Sequence, residues 1–152
     1  MSEGRPHIAI IGQGNLGRQL GDGLQKAFQI TTHGRALDIP AAAEVIIVCV
    51  PDDATIEVCA ALPQHLLIVH TAGALPMCNT PRSGVLYPLY SFTKGAVVNW
   101  AQVPFLIEAH SDEDLAVLTS IAKALSPLTY EVSSAGRNQL HVSAVMVNNF
   151  TN

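Results

Sequence analysis

The order of apolar runs and amphipathic segments predicts an α/β protein: a three-layer, doubly wound, mainly parallel sheet in a single domain with a terminal helix. Three observations carry the prediction. The apolar run His7-Ile8-Ala9-Ile10-Ile11 leads into Gly12-Gln13-Gly14-Asn15-Leu16-Gly17, behind which a helical pattern opens. The run Val45-Ile46-Ile47-Val48-Cys49-Val50 is β-branched and apolar on both faces, as a central parallel strand needs. Strand-like and helix-like segments then alternate to the end of the chain, with no internal repeat or low-complexity linker.

His7 to Ile11 reads as the first buried strand. Leu16, Leu20, Leu24 and Phe28 recur at helical spacing behind it, and Arg18, Gln19, Asp22, Gln25 and Lys26 form the solvated face of that helix. Gly21 and Gly23 lie within it, where glycine costs roughly 1 kcal/mol relative to alanine, so they mark close packing. A second strand closes on Ile30-Thr31-Thr32-His33-Gly34-Arg35. The connection from Arg35 to Glu44 is close to the minimum for a parallel crossover and leaves room for a turn or two of helix at most. The third strand stops at Pro51-Asp52-Asp53, where either aspartate can cap a helix whose apolar positions include Ile56, Ala60 and Leu62. Leu66 to Val69 is a further buried strand, followed by His70-Thr71-Ala72-Gly73. Val85 to Phe92 is an aromatic-proline segment, and Pro104 to Glu108 is the next strand. Ser111-Asp112-Glu113-Asp114 resembles a capping box with aspartate in place of glutamate, ahead of the stripe Leu115, Leu118, Ala122 and Leu125. Thr129 to Val132 reads as the last strand, and a final helix starts near Gly136.

The glycine spacing at the first strand-to-helix turn predicts a dinucleotide-phosphate site. Gly12 allows the sharp turn, Gly14 removes the side chain that would block a pyrophosphate, and Gly17 lets the helix pack close to the sheet. Free backbone N–H groups and the helix dipole hold an anion there without a lysine, and the lack of a Walker-type Gly-Lys-Ser/Thr weighs against an NTPase. An acidic residue about 20 positions on would bind the ribose 2′-hydroxyl of NAD. No carboxylate stands there, and Arg35 offers a planar fork suited to a 2′-phosphate, with Thr32 or His33 as helpers. NADP is therefore favoured over NAD; the alternative is that Arg35 is an ordinary surface arginine. The missing carboxylate also argues against a domain that binds an adenosylated sulfonium. In open α/β sheets the loops at the carboxyl ends of the strands line the ligand crevice, which brings Val50-Pro51-Asp52 and His70-Thr71-Ala72 beside the glycine loop.

The chain has 152 residues, 49% apolar and 13% charged, with a net charge of −4, which fits one compact domain. No basic cluster is present, so nucleic acid is not expected as a partner. The N-terminus lacks a charged region followed by a long apolar segment, which points to a cytoplasmic protein with no membrane association. Cys49, Cys59 and Cys78 are an odd number without CxxC spacing, read as reduced thiols, and no metal site is expected.

With the glycine loop, Val50-Pro51-Asp52, His70-Thr71-Ala72-Gly73, Tyr87-Pro88-Leu89 and Arg137-Asn138-Gln139-Leu140-His141 in view, the chain resembles a known group. It is similar to the Rossmann half of the NADP oxidoreductases related to deazaflavin-coenzyme-dependent reductases, 6-phosphogluconate dehydrogenase and pyrroline-5-carboxylate reductase. The likeness is greatest to two-domain proteins that pair a Rossmann-like domain with a helical domain of unknown function, and it spans nearly the whole chain. The resemblance implies hydride transfer between NADP(H) and a small molecule. It also implies that Gly12, Gln13, Gly14, Asn15, Leu16 and Gly17 form the pyrophosphate loop and that Arg35 reads the adenosine phosphate. Val50, Pro51 and Asp52 would then lie beside the riboses, with Thr71 on the nicotinamide side.

Two departures bear on catalysis. Hydroxyacid dehydrogenases of the wider superfamily carry, on the helix after the Rossmann domain, a lysine followed four residues later by an asparagine. One helical turn puts both beside the substrate, where the lysine exchanges a proton. With Asn148 at the asparagine position, the lysine position is Ala144. His141, seven residues before Asn148 and on the same face, is the candidate replacement, so His141 and Asn148 are the catalytic candidates; a structural or partner-contacting His141 is the alternative. Tyr87, Tyr90 and Arg137 are further candidates for the crevice. Secondly, the family's helical substrate domain would begin around Ala144 to Asn152, where this sequence stops. That leads to the expectation of a Rossmann domain alone, homodimeric through its C-terminal helix, or else a non-catalytic dinucleotide module serving as redox sensor or partner subunit.

Overall fold

The computed structural model describes residues 4–34 and 36–151, the side chains of residues 145–151 excepted. Along the chain run β1 (His7–Ile11), α1 (Asn15–Leu24), β2 (Gln29–His33), β3 (Val45–Val48), α2 (Asp52–Ala61), β4 (Leu67–His70), β5 (Ser83–Pro88), β6 (Phe105–Ala109), α3 (Asp112–Leu125), β7 (Thr129–Glu131) and α4 (Ser134–Thr151). Among the described residues, seven strands form one sheet in the order β2-β1-β3-β4-β5-β6-β7. The pairings from β2 to β5 are parallel; β6 runs antiparallel to β5, and β7 is parallel to β6. Among the described residues no helix lies between β2 and β3, within the turn or two that the short connection allows.

The sheet is buried on both sides because successive side chains of its central strands are apolar and point to opposite faces. Ile8, Ile10, Ile47, Val69, Leu86 and Phe105 pack under α1 and α3, against Leu20, Leu24, Leu118, Ile121 and Leu125. On the other face Ala9, Ile11, Ile46, Val48 and Ile68 meet Cys59, Leu62, Leu66 and Cys78. Each fully buried aliphatic side chain of this kind contributes about 1.5–3 kcal/mol. No helix among the described residues is long and apolar enough to cross a membrane.

Several local expectations need correction. α1 ends at Leu24, whose carbonyl accepts from the amides of both Ala27 and Phe28, at 3.0 and 2.9 Å. Phe28 therefore lies beyond the helix, although it remains in the same core layer. α2 turns inward through Thr55 and Cys59, while Ile56 is 62% exposed and Ala60 faces solvent. The Thr55 hydroxyl donates to the Pro51 carbonyl at 3.1 Å, so a polar residue can be buried there without an orphaned group. Pro51 occupies the N-cap, and Asp52 and Asp53 fall in the first turn, where they favour the dipole without a capping bond. The capping box ahead of α3 is half formed. Ser111 Oγ accepts from the Asp114 amide at 3.2 Å, but the Asp114 carboxylate turns to Arg82, 2.8 Å away. Arg82 also donates to the His65 carbonyl, strapping the start of β5 to α3 and to the entry of β4.

One polar cluster seats α4. Glu108 on β6 accepts from the Ser134 amide at 3.0 Å, from its hydroxyl at 2.6 Å and from Arg137 Nη1 at 2.9 Å. Arg137 has no exposed surface and donates a second time, to the Leu75 carbonyl. Burial pushes the Glu108 carboxyl up, but the hydrogen bonds from Ser134 and Arg137 outweigh it and hold the group below the usual carboxylate range.

Two predictions follow from this packing. A Cβ on Gly21 would meet its neighbours no closer than 3.6 Å, whereas one on Gly23 would stand 2.7 Å from both Leu125 Cδ2 and Trp100 Nε1. Gly21→Ala is expected to gain up to about 1 kcal/mol in urea unfolding through helix propensity, and Gly23→Ala to lose about 1–3 kcal/mol through overpacking. Glu108 bears on the pH dependence of stability. Its folded pKa lies below the unfolded value, so its stabilisation is full above about pH 4.3 and is lost as pH falls through the folded pKa. Glu108→Ala is expected to cost about 3–5 kcal/mol at neutral pH, because it leaves a buried guanidinium uncompensated, and to flatten the acid limb of an unfolding-midpoint-versus-pH curve.

Candidate functional site

The carboxyl ends of β1, β3, β4 and β5 share one edge of the sheet, and the candidate residues meet along it. Where β1 hands over to α1, Gly12 adopts a φ of +114°, and its amide donates to the His33 carbonyl at 2.8 Å. A Cβ at Gly12 would stand 2.1 Å from the Cys49 carbonyl oxygen, and one at Gly17 would stand 2.4 Å from the Gly12 carbonyl oxygen. No side chain fits at either place. At Gly14, by contrast, a Cβ would meet nothing within 4 Å. Gly14 is the N-cap of α1, makes no side-chain cap bond, and has no acidic residue following it in the first turn. The first-turn amides of α1, which an α-helix cannot pair internally, therefore face open space beside a bare backbone.

Next to this turn opens a cavity of about 810 Å³. Ile11, Gly12, Gln13 and Gly14 form one wall, Val50 and Pro51 another, and Gly34, Leu37, Ala54 and Val58 complete it. Leu37, Ala54 and Val58 were not among the sequence candidates. The only signal for the last two is their four-residue spacing on α2 just after Pro51, which puts them on one face. Arg35 lies outside the described residues, next to the cavity-lining Gly34.

The other end of the edge is built from side chains. Thr71 Oγ1 donates to the Val48 carbonyl at 3.2 Å, tying the loop after β4 to β3. Burial pushes the neighbouring Cys49 thiol up to about 12, with a hydrogen bond to Thr71 opposing it, so Cys49 is no thiolate nucleophile at neutral pH. His70 is a structural residue. Its Nε2 donates to the Pro76 carbonyl at 2.8 Å and its Nδ1 accepts from the Ala72 amide at 3.0 Å, which requires the neutral ring. Burial lowers its pKa in keeping with that role.

Tyr87, near the end of β5, points to the face opposite Leu86 and meets α4. Its hydroxyl lies 2.8 Å from His141 Nδ1, and the two rings meet edge to face at 5.5 Å. The pair closes over Gly73, where a Cβ would come within 2.6 Å of both rings. Burial raises the Tyr87 phenol pKa, and the Asp52 carboxylate at the head of α2 raises it further, against an opposing effect of Arg137. Asp52, Gly73, Tyr87 and His141 thus surround one end of the edge.

The structure leaves two crevice candidates elsewhere. Arg137 is wholly buried in the Glu108 cluster, where burying its charge is tolerable only because Glu108 and the Leu75 carbonyl receive it. Tyr90 is 46% exposed and stacks edge to face on Phe92 at 4.9 Å, in the loop after β5. The Asn148 side chain lies outside the described residues. Among the described residues no group of three His, Cys, Asp or Glu side chains could hold a metal ion.

Comparisons with known proteins bear on the family and the fold. A family model described as a domain of unknown function (DUF2520) matches residues 103–152. No curated protein matches the chain. A protein of Bacteroides fragilis named as a putative NADP oxidoreductase is 32% identical, with a TM-score of 0.85 over 97% of this chain and 68% of its own. A Thermotoga maritima protein is 22% identical, with a TM-score of 0.75 over 94% of this chain and 64% of its own. A reductive aminase of Aspergillus terreus, solved with NADPH and ethyl-5-oxohexanoate, shares the fold at 18% identity and a TM-score of 0.64, over 97% of this chain and 62% of its own. The chain thus spans about two thirds of the length of these proteins. The identity and near-complete overlap with the Bacteroides protein show that the chain belongs to the Rossmann-fold NADP oxidoreductase family.

Proposed function

We propose that the chain is the cofactor-binding domain of an NADP(H)-dependent oxidoreductase, with the dinucleotide lying across the carboxyl edge of the sheet from the cavity beside Gly34 to the Tyr87–His141 pair. The observation that carries this reading is the contrast within the glycine loop. Gly12 and Gly17 are filled in by backbone, while Gly14 faces open space at an uncapped helix start. That is where a pyrophosphate needs bare amides. The neighbouring cavity has the volume and mostly apolar lining of a small-molecule site, here for the adenosine half. Gln13, Asn15 and Leu16 complete the loop, Val50, Pro51 and Asp52 flank the riboses, and Thr71 holds the nicotinamide side. Arg35 receives the 2′-phosphate and so selects NADP over NAD. When bound, the cofactor supplies the hydride; the protein supplies position and electrostatics.

The reading assigns all 152 residues to the dinucleotide-binding domain and leaves substrate enclosure to polypeptide packed on α4. Leu140 and Val142 on α4 are 42% and 48% exposed, which supports a homodimer through this helix. Free thiols at Cys49, Cys59 and Cys78 fit a reducing, cytoplasmic setting. A second reading, a dinucleotide sensor without catalysis, draws on Ala144, which has no proton to give at the family's lysine position.

Fluorescence titration checks the cofactor assignment. NADPH is expected to bind more tightly than NADH, and Arg35→Ala to weaken NADPH by about 10- to 100-fold with little change for NADH, the worth of a charged hydrogen-bonded contact. Gly14→Val is expected to abolish binding of both while the protein stays folded; undiminished binding by Gly14→Val would remove the pyrophosphate assignment. Sedimentation velocity checks the assembly. The expected mass is that of two chains, shifting to one in Val142→Glu, and a single-chain mass at every concentration would exclude the dimer.

A further inference from the structure

We infer that Tyr87 is the proton donor of this site and that His141 is its positioning residue, so that the site reduces a carbonyl or imine whose oxygen or nitrogen meets the Tyr87 hydroxyl. The inference rests on the dinucleotide reading above. It goes beyond that reading in naming the acid and the class of acceptor.

The geometry carries it. Strands lie about 4.8 Å apart, so the end of β5 stands about 14 Å across the edge from the glycine loop on β1, with β3 and β4 between. A dinucleotide anchored by its pyrophosphate at Gly14 extends its nicotinamide half along that edge toward Thr71, and Tyr87 is the next strand's offering. The phenol is half-buried between the head of α2 and the flank of α4, and its 2.8 Å bond to His141 Nδ1 holds the hydroxyl in one place. The space is kept for this pair, since Gly73 is the residue both rings overlie. α4 itself is fixed by the Glu108 cluster one end away, so His141 has little freedom to leave Tyr87.

With the imidazole neutral, the phenol donates its hydrogen to Nδ1. With the imidazole protonated, Nδ1–H donates to the phenol oxygen, and the phenol hydrogen is free for a substrate. As a reduced nicotinamide dinucleotide gives its hydride to the carbon of a C=O or C=N group, the Tyr87 O–H bond breaks. Its proton forms the new O–H or N–H bond of the alcohol or amine, the tyrosinate takes the Nδ1 proton, and water reprotonates His141. Asp52 from α2 and Arg137 from α4 are the charges felt at Tyr87, and both, with Glu108 from β6, are also felt at His70 on β4. Arg137 and Glu108 neutralise each other, and His70 is held neutral by its two backbone bonds. Asp52 is left to favour the proton on Tyr87.

The test uses the full chain with NADPH, ethyl 5-oxohexanoate and the cyclic imine 1-pyrroline as probes. Tyr87→Phe is expected to lower kcat by about 10²- to 10⁴-fold, the usual worth of a positioned acid, with NADPH affinity within twofold of the parent. His141→Gln is expected to lower kcat less and to remove the limb of the pH profile along which the rate falls as pH rises and the pair loses its second proton. A readout independent of turnover is the ¹⁵N spectrum of the His141 ring, in which Nδ1 of the neutral form should report a hydrogen-bonded acceptor and shift in Tyr87→Phe. Retention of kcat within threefold by Tyr87→Phe, an unshifted Nδ1 signal, or NADPH binding with no turnover of either probe by the parent chain would each overturn the proposal. Failure to bind NADPH would sink the cofactor reading instead, and the two failures are thereby told apart.

Discussion

The site depends on the close approach of Gly12 to the Cys49 carbonyl, which leaves no room for a Cβ. β1 and β3 are neighbours through the register Ile11↔Val48, and the chain leaving each must turn off at the same height. With a side chain at Gly12 the two turns would collide; without one, Cys49 can pair its amide with the Ile11 carbonyl at 2.7 Å while α1 starts directly above. Gly17 repeats the constraint one helical turn later, pressing α1 onto the loop it caps. The effect is to bring a helix N-terminus to the sheet edge with its amides uncovered. Gly14, alone among the three loop glycines in having free space around it, is then the place where something other than protein fits.

A second constraint acts at the opposite end of the edge. A fully buried guanidinium is costly unless charge and hydrogen bonds meet it, and Arg137 meets both in Glu108 and the Leu75 carbonyl. Because Glu108 also takes the Ser134 amide and hydroxyl, it fixes where α4 begins as well as how it is rotated. From Ser134 the helix rises about 1.5 Å per residue, which carries His141 roughly 10 Å onward, from Glu108 on β6 to Tyr87 on β5. Charge burial level with the carboxyl ends of the parallel strands thus sets the neighbouring hydrogen bond between Tyr87 and His141, and Arg137 serves the site without lining the cavity.

Much of this was legible in the chain because it depends on local periodicity. β1, β3 and β4 show as buried, largely apolar runs, α1 as a glycine-initiated amphipathic turn sequence, and α3 as a Ser111-capped stripe whose buried members include Leu118, Ala122 and Leu125. What stayed hidden depends on partners far away in sequence. The inward face of α2 is carried by Thr55 and Cys59, whose burial needs the Pro51 carbonyl and a packing partner at Cys78. The reversal of β6 is set by where the chain after Pro88 re-enters the sheet, a choice no residue of the strand records. Tyr87 and His141 could each be suspected of lying in the crevice, but their bond spans 54 positions and becomes visible only once Glu108 has placed α4.

The two ends of the edge are thus made by different physics, and the difference bears on how the site works. At the glycine loop the groups on offer are backbone amides and a dipole, which are fixed by the fold and carry no titration of their own. They suit a ligand portion that is the same in every turnover. At the Tyr87 end the groups are a phenol and an imidazole, either of which can donate in the bond between them, with the Asp52 carboxylate's charge acting on the phenol. They suit the portion where bonds are made. Asp52 links the two, since it belongs to the first turn of α2 directly after the cavity-lining Pro51 and its charge is also felt at Tyr87. A negative charge held there favours the proton on Tyr87 over its loss. The same residue that borders the proposed ribose path therefore helps keep the adjoining phenol an acid.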